Sequence, residues 1–596
     1  MKARMPAVLA ALAALVAAGL AAAAASPADA AGGGPAGRAA SWQPEAATYG
    51  VSQPVLTSVR MDDGVMISAA IVYPTNQATG ARAAGAFPVL LTQTPYGNTP
   101  DPTAAGDYFV QRGYIYVASD VRGTGTSGGQ VSWFGQRQGE DGAELVNWAA
   151  HALPGSDGVV GLDGCSYLGV DQWFTAAAVG PHSPLKAISP FCTDSNFYDD
   201  LTADGGIPTP FVAGIGHAEP RGPQDDPATD PQSAVIEQEA AGGADSYDDS
   251  YWHALDAQRL IRQIVANGIP ALTEAGWDDL FPGGNLGDYV AAQNAYFHRP
   301  LTAPVTAGEP VTGRYQAIVG PWTHGENVNG ATLQSIRLEW FDTWLKGERT
   351  GLADTPAPLH IFENTASQWV DTAAWPPSPS ASAYYLGANG SLSNADGGVA
   401  ADGGTSPIEW AAASAGNSLT YTSSPLPAAK VLDGPSDLTV YASSTTTDTE
   451  LTATLNVLSP SGAVVKQADG ALLGSQRAVD PARGWYGADG LLLQPSHPFT
   501  QRSQQAVVPG KVTRYDISLL ANFTLIPAGD RIQVVLTTQP PPNFHLPLAP
   551  TPPQQADLAD GSYTVGYGPG SASVLNLPLA SPGQFTASPV NWGPSS

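Results

Sequence analysis

From Val55 to Pro74, in VLTSVRMDDGVMISAAIVYP, apolar and polar residues alternate on either side of Asp62-Asp63-Gly64. That period of two about a turn signal predicts an antiparallel hairpin. The next runs differ. FPVLLTQTPYG and GYIYVASDVRG are continuously apolar up to Gly-rich ends, the pattern of parallel strands buried on both faces. PTAAGDYFVQR between them fits a helix. The series continues with helix-like GEDGAELVNWAAHAL, the strand GVVGLDG, a helix over about 170–179, the strand LKAISPFC, and later IPALTEAGW and YQAIVGPW. Alternating strands and helices predict a parallel sheet covered by helices. In LEWFDTWLKGER, Trp340, Phe341 and Trp344 recur at helical spacing, which predicts a core-facing stripe rather than a ligand site.

Residues 196–262 break this rhythm with RGPQDDPATDPQSAVIEQEAAGGADSYDDSYWHALDAQRL, which is polar, acidic and partly helical. An inserted cap is expected there. It would lie over the carboxyl ends of the strands, where open α/β sheets bind ligands. From about Ser380 the composition turns to Ser, Thr, Gly and Pro, and short strands such as SDLTVYASS, ELTATLNVLSP, TRYDISLLAN and DRIQVVLTT recur between turns. An all-β sandwich follows. The expected layout is a leader over 1–30, a lead-in over 31–50, an α/β unit over 51–195 and 263–375, the cap over 196–262 and the sandwich over 380–596.

Charge narrows the partners. A formal net charge of −28 leaves no basic surface to neutralise phosphates, which excludes nucleic acid. At the N-terminus Lys2 and Arg4 precede AVLAALAALVAAGLAAAAA, and Ala28-Asp29-Ala30 follows. That order predicts a secretory signal peptide and a mature protein that is outside the cytoplasm and not membrane-bound. Only Cys165 and Cys192 occur, so there is no disulfide framework, and a single bridge between them stays open.

The stretch GVVGLDGCSYLGVDQW places Ser166 where a strand becomes a helix, with Gly164 two residues earlier. A serine hydroxyl becomes a nucleophile when an imidazole removes its proton and a carboxylate orients that imidazole. The usual elbow has glycine two residues after the serine; here that position is Leu168, and Gly169 comes one later. Two acids, Asp278 and Asp279, follow IPALTEAGW, and His324 follows YQAIVGPW. Serine, acid and histidine thus come in α/β-hydrolase order, each after a strand. Other motifs fail. Gly123-x-Gly125-x-x-Gly128 precedes QVSWFG rather than a helix, so it is not a dinucleotide site. The pairs Asp199-Asp200, Asp225-Asp226 and Asp248-Asp249 lack calcium-loop spacing and read as solvated turns.

GCSYLG, GWDD and GPWTHG, with PYG at 95–97 and DVRGTGTSGG at 120–129, resemble the X-Pro dipeptidyl-peptidase/cocaine-esterase family of serine hydrolases, from about Val55 to the carboxyl end. The G-x-S-Y-x-G form of the elbow is that family's. The resemblance implies an α/β-hydrolase domain with a cap and a C-terminal jelly-roll or galactose-binding-like sandwich. It implies Ser166 as nucleophile, Asp279 as acid and His324 as base, with the Tyr167 amide and the Tyr96 hydroxyl as the oxyanion hole, and no metal or cofactor. Asp278 stands where the family has an aromatic residue. Family members cut X-Pro peptides, aromatic esters, or amino esters and acyl amides. The amino-ester hydrolases carry acids two and three residues after the catalytic aspartate, where this chain has Phe281 and Pro282. Asp199 or Asp200 could still pair a substrate amine. The expected activity is acyl hydrolysis of a peptide or small molecule, X-Pro dipeptidyl-peptidase-like first and carboxylic esterase or acylase second. The competing classes are a non-catalytic carbohydrate or cell-surface binding protein and a metallohydrolase built on the acidic pairs.

Overall fold

The computed structural model describes residues 42–588 apart from internal stretches, the longest being 210–221, 226–233, 395–403, 410–416 and 546–557. Residues 1–30, expected as a signal peptide, lie outside the described residues, as do Asp226 and Pro282. No helix among the described residues is long and apolar enough to cross a membrane.

Ten strands form the first large sheet: β1 (Val55–Arg60), β2 (Met66–Val72), β3 (Phe87–Thr94), β4 (Ile115–Asp120), β5 (Ser156–Cys165), β6 (Leu185–Phe191), β7 (Ala271–Asp278), β8 (Tyr315–Thr323), β9 (Leu359–Glu363) and β10 (Gln368–Thr372). Their spatial order is β10-β9-β8-β7-β6-β5-β3-β4-β2-β1. All neighbours from β9 to β4 are parallel, and antiparallel pairs form the two edges. Apolar runs such as Val89-Leu90-Leu91 are wholly buried because helices cover both faces. On one face α1 (Gly135–His151), α2 (Tyr167–Ala178) and α3 (Gly284–Tyr296) pack through Leu145, Trp173 and Ala291. On the other, α4 (Ala331–Trp344) packs through Ile336, Trp340 and Phe341.

β3 lies between β4 and β5, so the chain leaves β3 toward one edge and later returns on its other side. This reversal opens a crevice at the carboxyl ends of β3 and β5. Tyr96 follows β3 and Ser166 follows β5, so the topology places both at that crevice.

The second large sheet has eleven strands within 381–580. Two of its members are long rather than short. Lys430–Ser444 and Thr513–Ile526 pair antiparallel along nearly their whole lengths, with a register shift between Gly434 and Ser436. At Gly434 an added Cβ would lie 2.7 Å from Pro376 Cβ, so the irregularity sits where the two sheets' domains meet. The cap segment folds as short helices and a two-residue hairpin, Ala203–Asp204 with Ile207–Pro208.

Candidate active site

Strand β5 ends at Cys165, and Ser166 takes φ 61° and ψ −128° before α2 begins. A positive φ is costly for serine, and such strain collects at functional sites. Neighbouring glycines permit the turn. A Cβ at Gly164 would lie 2.6 Å from Leu168 O; at Gly169 it would lie 2.4 Å from Thr193 Cγ2 and 2.8 Å from Phe191 O. Gly169 is therefore where the new helix touches the end of β6, which accounts for a glycine one residue later than the usual elbow. The Ser166 carbonyl accepts from the Gly169 and Val170 amides at 2.8 and 2.9 Å. Helix α2 consequently starts at Tyr167 rather than near Val170.

His324, after β8, reaches both partners. Its Nε2 is 2.9 Å from Ser166 Oγ, and its Nδ1 is 2.9 Å from Asp279 Oδ1. Asp279 is buried, and its Oδ1 also accepts the Phe281 amide at 3.0 Å. Asp278 is exposed. Burial opposes a charged His324, but the adjacent Asp279 carboxylate and its hydrogen bond outweigh this and push the imidazole up to about 9. Cys165 and Cys192 are free thiols, so the open question of a bridge is answered by two unlinked side chains. The Cys192 sulfur lies within 4.8 Å of Asp279 and His324 ligand atoms.

Tyr167 opens α2, so its amide sits at the positive end of the helix. Its hydroxyl donates to Gln138 Oε1 at 2.8 Å. Tyr96 packs, half-buried, on the same aromatic cluster. That cluster was not anticipated. Phe134 lies 4.3 Å from the Tyr167 ring, Phe197 lies 5.5 Å from Phe134 and 5.7 Å from Trp252, and Phe281 meets the His324 ring edge-on at 5.4 Å. The signal was present in QVSWFG and YWHAL, whose aromatics stand beside otherwise polar stretches.

Behind Asp279 a cavity of ≈ 400 Å³ opens between the cap, α3 and the C-terminal domain, and it is lined by Asp199, Asp200, Asp204, Asp248, Asp256 and Asp469. It touches the triad loop at Leu280. The turns at Asp199-Asp200 and Asp248 line this cavity, with Asp199 exposed and Asp200 and Asp248 half-buried, and the C-terminal domain supplies the facing residues. Most of its carboxylates have a cation: His253 is 3.1 Å from Asp248, Arg259 is 2.9 Å from Asp256, and Lys466 is 2.8 Å from Asp469. The Asp199 carboxylate has no such partner among the described residues; burial and its neighbours Asp200, Asp204 and Asp248 push it well above the usual carboxylate range. The remaining pair, Asp225, serves structure, since its Oδ1 accepts the Val131 amide at 2.9 Å.

Comparison with known proteins agrees with this architecture. The model for X-Pro dipeptidyl-peptidase (S15 family) matches residues 63–326, and that for the X-Pro dipeptidyl-peptidase C-terminal non-catalytic domain matches residues 350–575. A Mycobacterium bovis protein named provisionally as a serine esterase is 24% identical, over 80% of this chain and 89% of that one. Cocaine esterase from Rhodococcus sp. is 27% identical over 59% of this chain and 64% of its own length. In fold, the chain is similar to a CocE/NonD family hydrolase from Staphylococcus aureus, at TM-score 0.70 and 21% identity over 89% of this chain and 94% of that one. With both family models covering the two halves of the molecule, the chain belongs to the X-Pro dipeptidyl-peptidase (S15)/CocE family of serine hydrolases.

Proposed function

We propose that Ser166, His324 and Asp279 are the working triad, and that the acyl bond they cut belongs to a substrate with a free ammonium group, an X-Pro dipeptidyl unit at a peptide amino terminus being the first choice. One observation carries the substrate class: a carboxylate with no cation partner among the described residues, Asp199, on the wall of an acidic cavity that touches the loop after Asp279 at Leu280. An ammonium group loses hydration on entering such a space and needs a charge to pair with.

In this reading His324 Nε2 takes the Ser166 proton as Oγ adds to the scissile carbonyl, while Asp279 holds the Nδ1–H. The Tyr167 amide and the Tyr96 hydroxyl receive the oxyanion. Collapse of the intermediate expels an amine protonated by His324 and leaves an acyl-enzyme. Water then gives a proton to the same nitrogen, adds to the acyl carbon, and releases the acid with Ser166 restored. The aromatic cluster of Phe134, Phe197, Trp252 and Phe281, which packs against Tyr167 and His324, favours a second reading, an ester with an aromatic acyl group, and the name of the Rhodococcus relative points the same way.

The test is steady-state hydrolysis of an X-Pro-nitroanilide, its N-acetyl derivative and an aromatic acyl nitrophenyl ester, each repeated with Ser166→Ala. Turnover of the free-amine anilide and not the acetylated one supports the first reading. Ester turnover alone selects the second, and full activity in the variant removes the triad assignment. Export is part of the same proposal, resting on the basic, alanine-rich N-terminus and Ala28-Asp29-Ala30. A mature chain recovered from culture medium with Ala31 at its amino end would support it, and retention of the full chain inside the cell would overturn it.

A further inference from the structure

The segment that carries Asp199 and Asp200 is too short to hold its own shape. Tyr198–Thr202 forms a single wide turn, and Ala203–Asp204 pairs with Ile207–Pro208 in a hairpin of two residues a side. An isolated hairpin of that size is not stable. Its support comes from a part of the chain more than 250 residues away. The Leu473 amide donates to Gly205 O at 2.8 Å, and Ile207 packs on Ala471 and Leu473. At Gly205, where φ is +57°, an added Cβ would lie 1.9 Å from Ala471 O. The hairpin backbone therefore touches the C-terminal domain more closely than any side chain would permit.

Beside this contact stands His545. Its Nδ1 is 2.7 Å from Asp469 Oδ1, on the C-terminal domain, and its Nε2 is 3.7 Å from Asp204 Oδ2, on the hairpin. Lys466 holds the other oxygen of Asp469 at 2.8 Å. Asp204 Oδ2 is buried and accepts no hydrogen bond from the described residues, and the imidazole faces its charge. The four groups balance as two anions and two cations. Burial disfavours a charged His545, yet Asp469, its hydrogen bond and Asp204 together raise its pKa. The Phe544 ring, 4.8 Å away, shields one side.

Building on the reading of Asp199 as the ammonium partner, we propose that His545 is a positioning residue: an imidazolium shared by Asp469 and Asp204 that ties the hairpin to the C-terminal domain and so sets where Asp199 stands. The domain that holds no triad residue would thereby tune recognition of the substrate amine while leaving the chemistry alone.

The experiment uses His545→Gln, which keeps a donor toward Asp469 but carries no charge, with Asp204→Asn and the double variant. KM for the free-amine X-Pro-nitroanilide should rise about tenfold in His545→Gln, as expected when a charge-assisted contact loosens. Its kcat, and both constants for a neutral acyl ester, should stay within about twofold. Amide hydrogen exchange over residues 198–209 should speed up. With Asp204 already neutral as Asn, adding His545→Gln should cost less than it does alone. Equal losses on both substrates would mean a general structural role and overturn the proposal, as would unchanged exchange over 198–209. If the wild-type protein shows no preference for a free amine, the Asp199 reading fails, and the exchange and coupling measurements still decide whether His545 ties the hairpin.

Discussion

The triad and the cavity behind it handle charge in opposite ways. Along the triad the contacts form a chain: Ser166 with His324, and His324 with Asp279, whose Oδ1 also accepts the Phe281 amide. In the cavity, six aspartates line one space, and Asp199 has no cation partner among the described residues. The first arrangement stores a reaction path, since a proton moves along bonds already formed. The second stores affinity, since crowded carboxylates oppose one another's charge until a cation arrives. One arrangement orients a base, the other attracts a ligand.

The contrast can be broken first on the triad side. Ser166→Ala should lower kcat/KM by about 10⁵-fold or more, whatever the substrate, and abolish labelling by a fluorophosphonate. Its Tm should hardly change, because the substitution removes one small hydroxyl whose hydrogen bond is to His324 at 2.9 Å. Asp279→Asn should cost roughly 10⁴-fold by leaving His324 in the wrong tautomer. The same change at exposed Asp278 should stay within about twofold. Equal losses at the two positions would show that the loop, and not the His324 hydrogen bond, is what matters. Tyr96→Phe, which removes one proposed oxyanion donor, should lower kcat by about 10²- to 10³-fold with KM preserved.

The two regions also differed in how far they could be read from the chain. Ser166, Asp279 and His324 each stand at the end of an apolar strand, so local pattern and order were enough to nominate them. Even the misplaced Gly169 had a local cause, its contact with Thr193 and Phe191 across neighbouring strands. The cavity had no such signature. Asp199 and Asp200 read as a solvated turn, and nothing local shows that Asp469 and His545, far along the chain, line the same cavity. Periodicity reports which face of an element is buried and not which distant domain buries it. For the same reason Phe134 was legible as apolar but not as a neighbour of Tyr167. The long strands 430–444 and 513–526 were legible only as their most regular parts, because the shift at Gly434 interrupts the alternation.

The pH profile sharpens the comparison on a smaller scale. His324 acts as a base only when neutral, and Asp279 holds it protonated up to about 9. The neutral fraction therefore grows about tenfold per pH unit below that value, and kcat/KM should climb by up to about a hundredfold between pH 7 and 9 before levelling. A profile already flat by pH 7 would mean that the carboxylate supports His324 less than its geometry implies.

Asp199→Asn tests the cavity side and has the smallest effect on rate. The substitution keeps shape and removes charge, so KM for the free-amine substrate should rise about tenfold while a neutral ester is unaffected. Stability should move the other way. Asp199 binds its proton more tightly folded than unfolded, because burial and Asp200, Asp204 and Asp248 oppose its charge. A carboxylate raised in this manner costs stability as pH rises above its unfolded value. Without substrate, Asp199→Asn should therefore have a higher Tm than the wild type at pH 7, and the gap should close at acid pH, where both carry a neutral side chain. Saturating free-amine ligand should narrow the gap as well, by stabilising the wild type more. A lower Tm with KM unchanged would make Asp199 a structural residue and leave the acidic cavity without its assigned ligand.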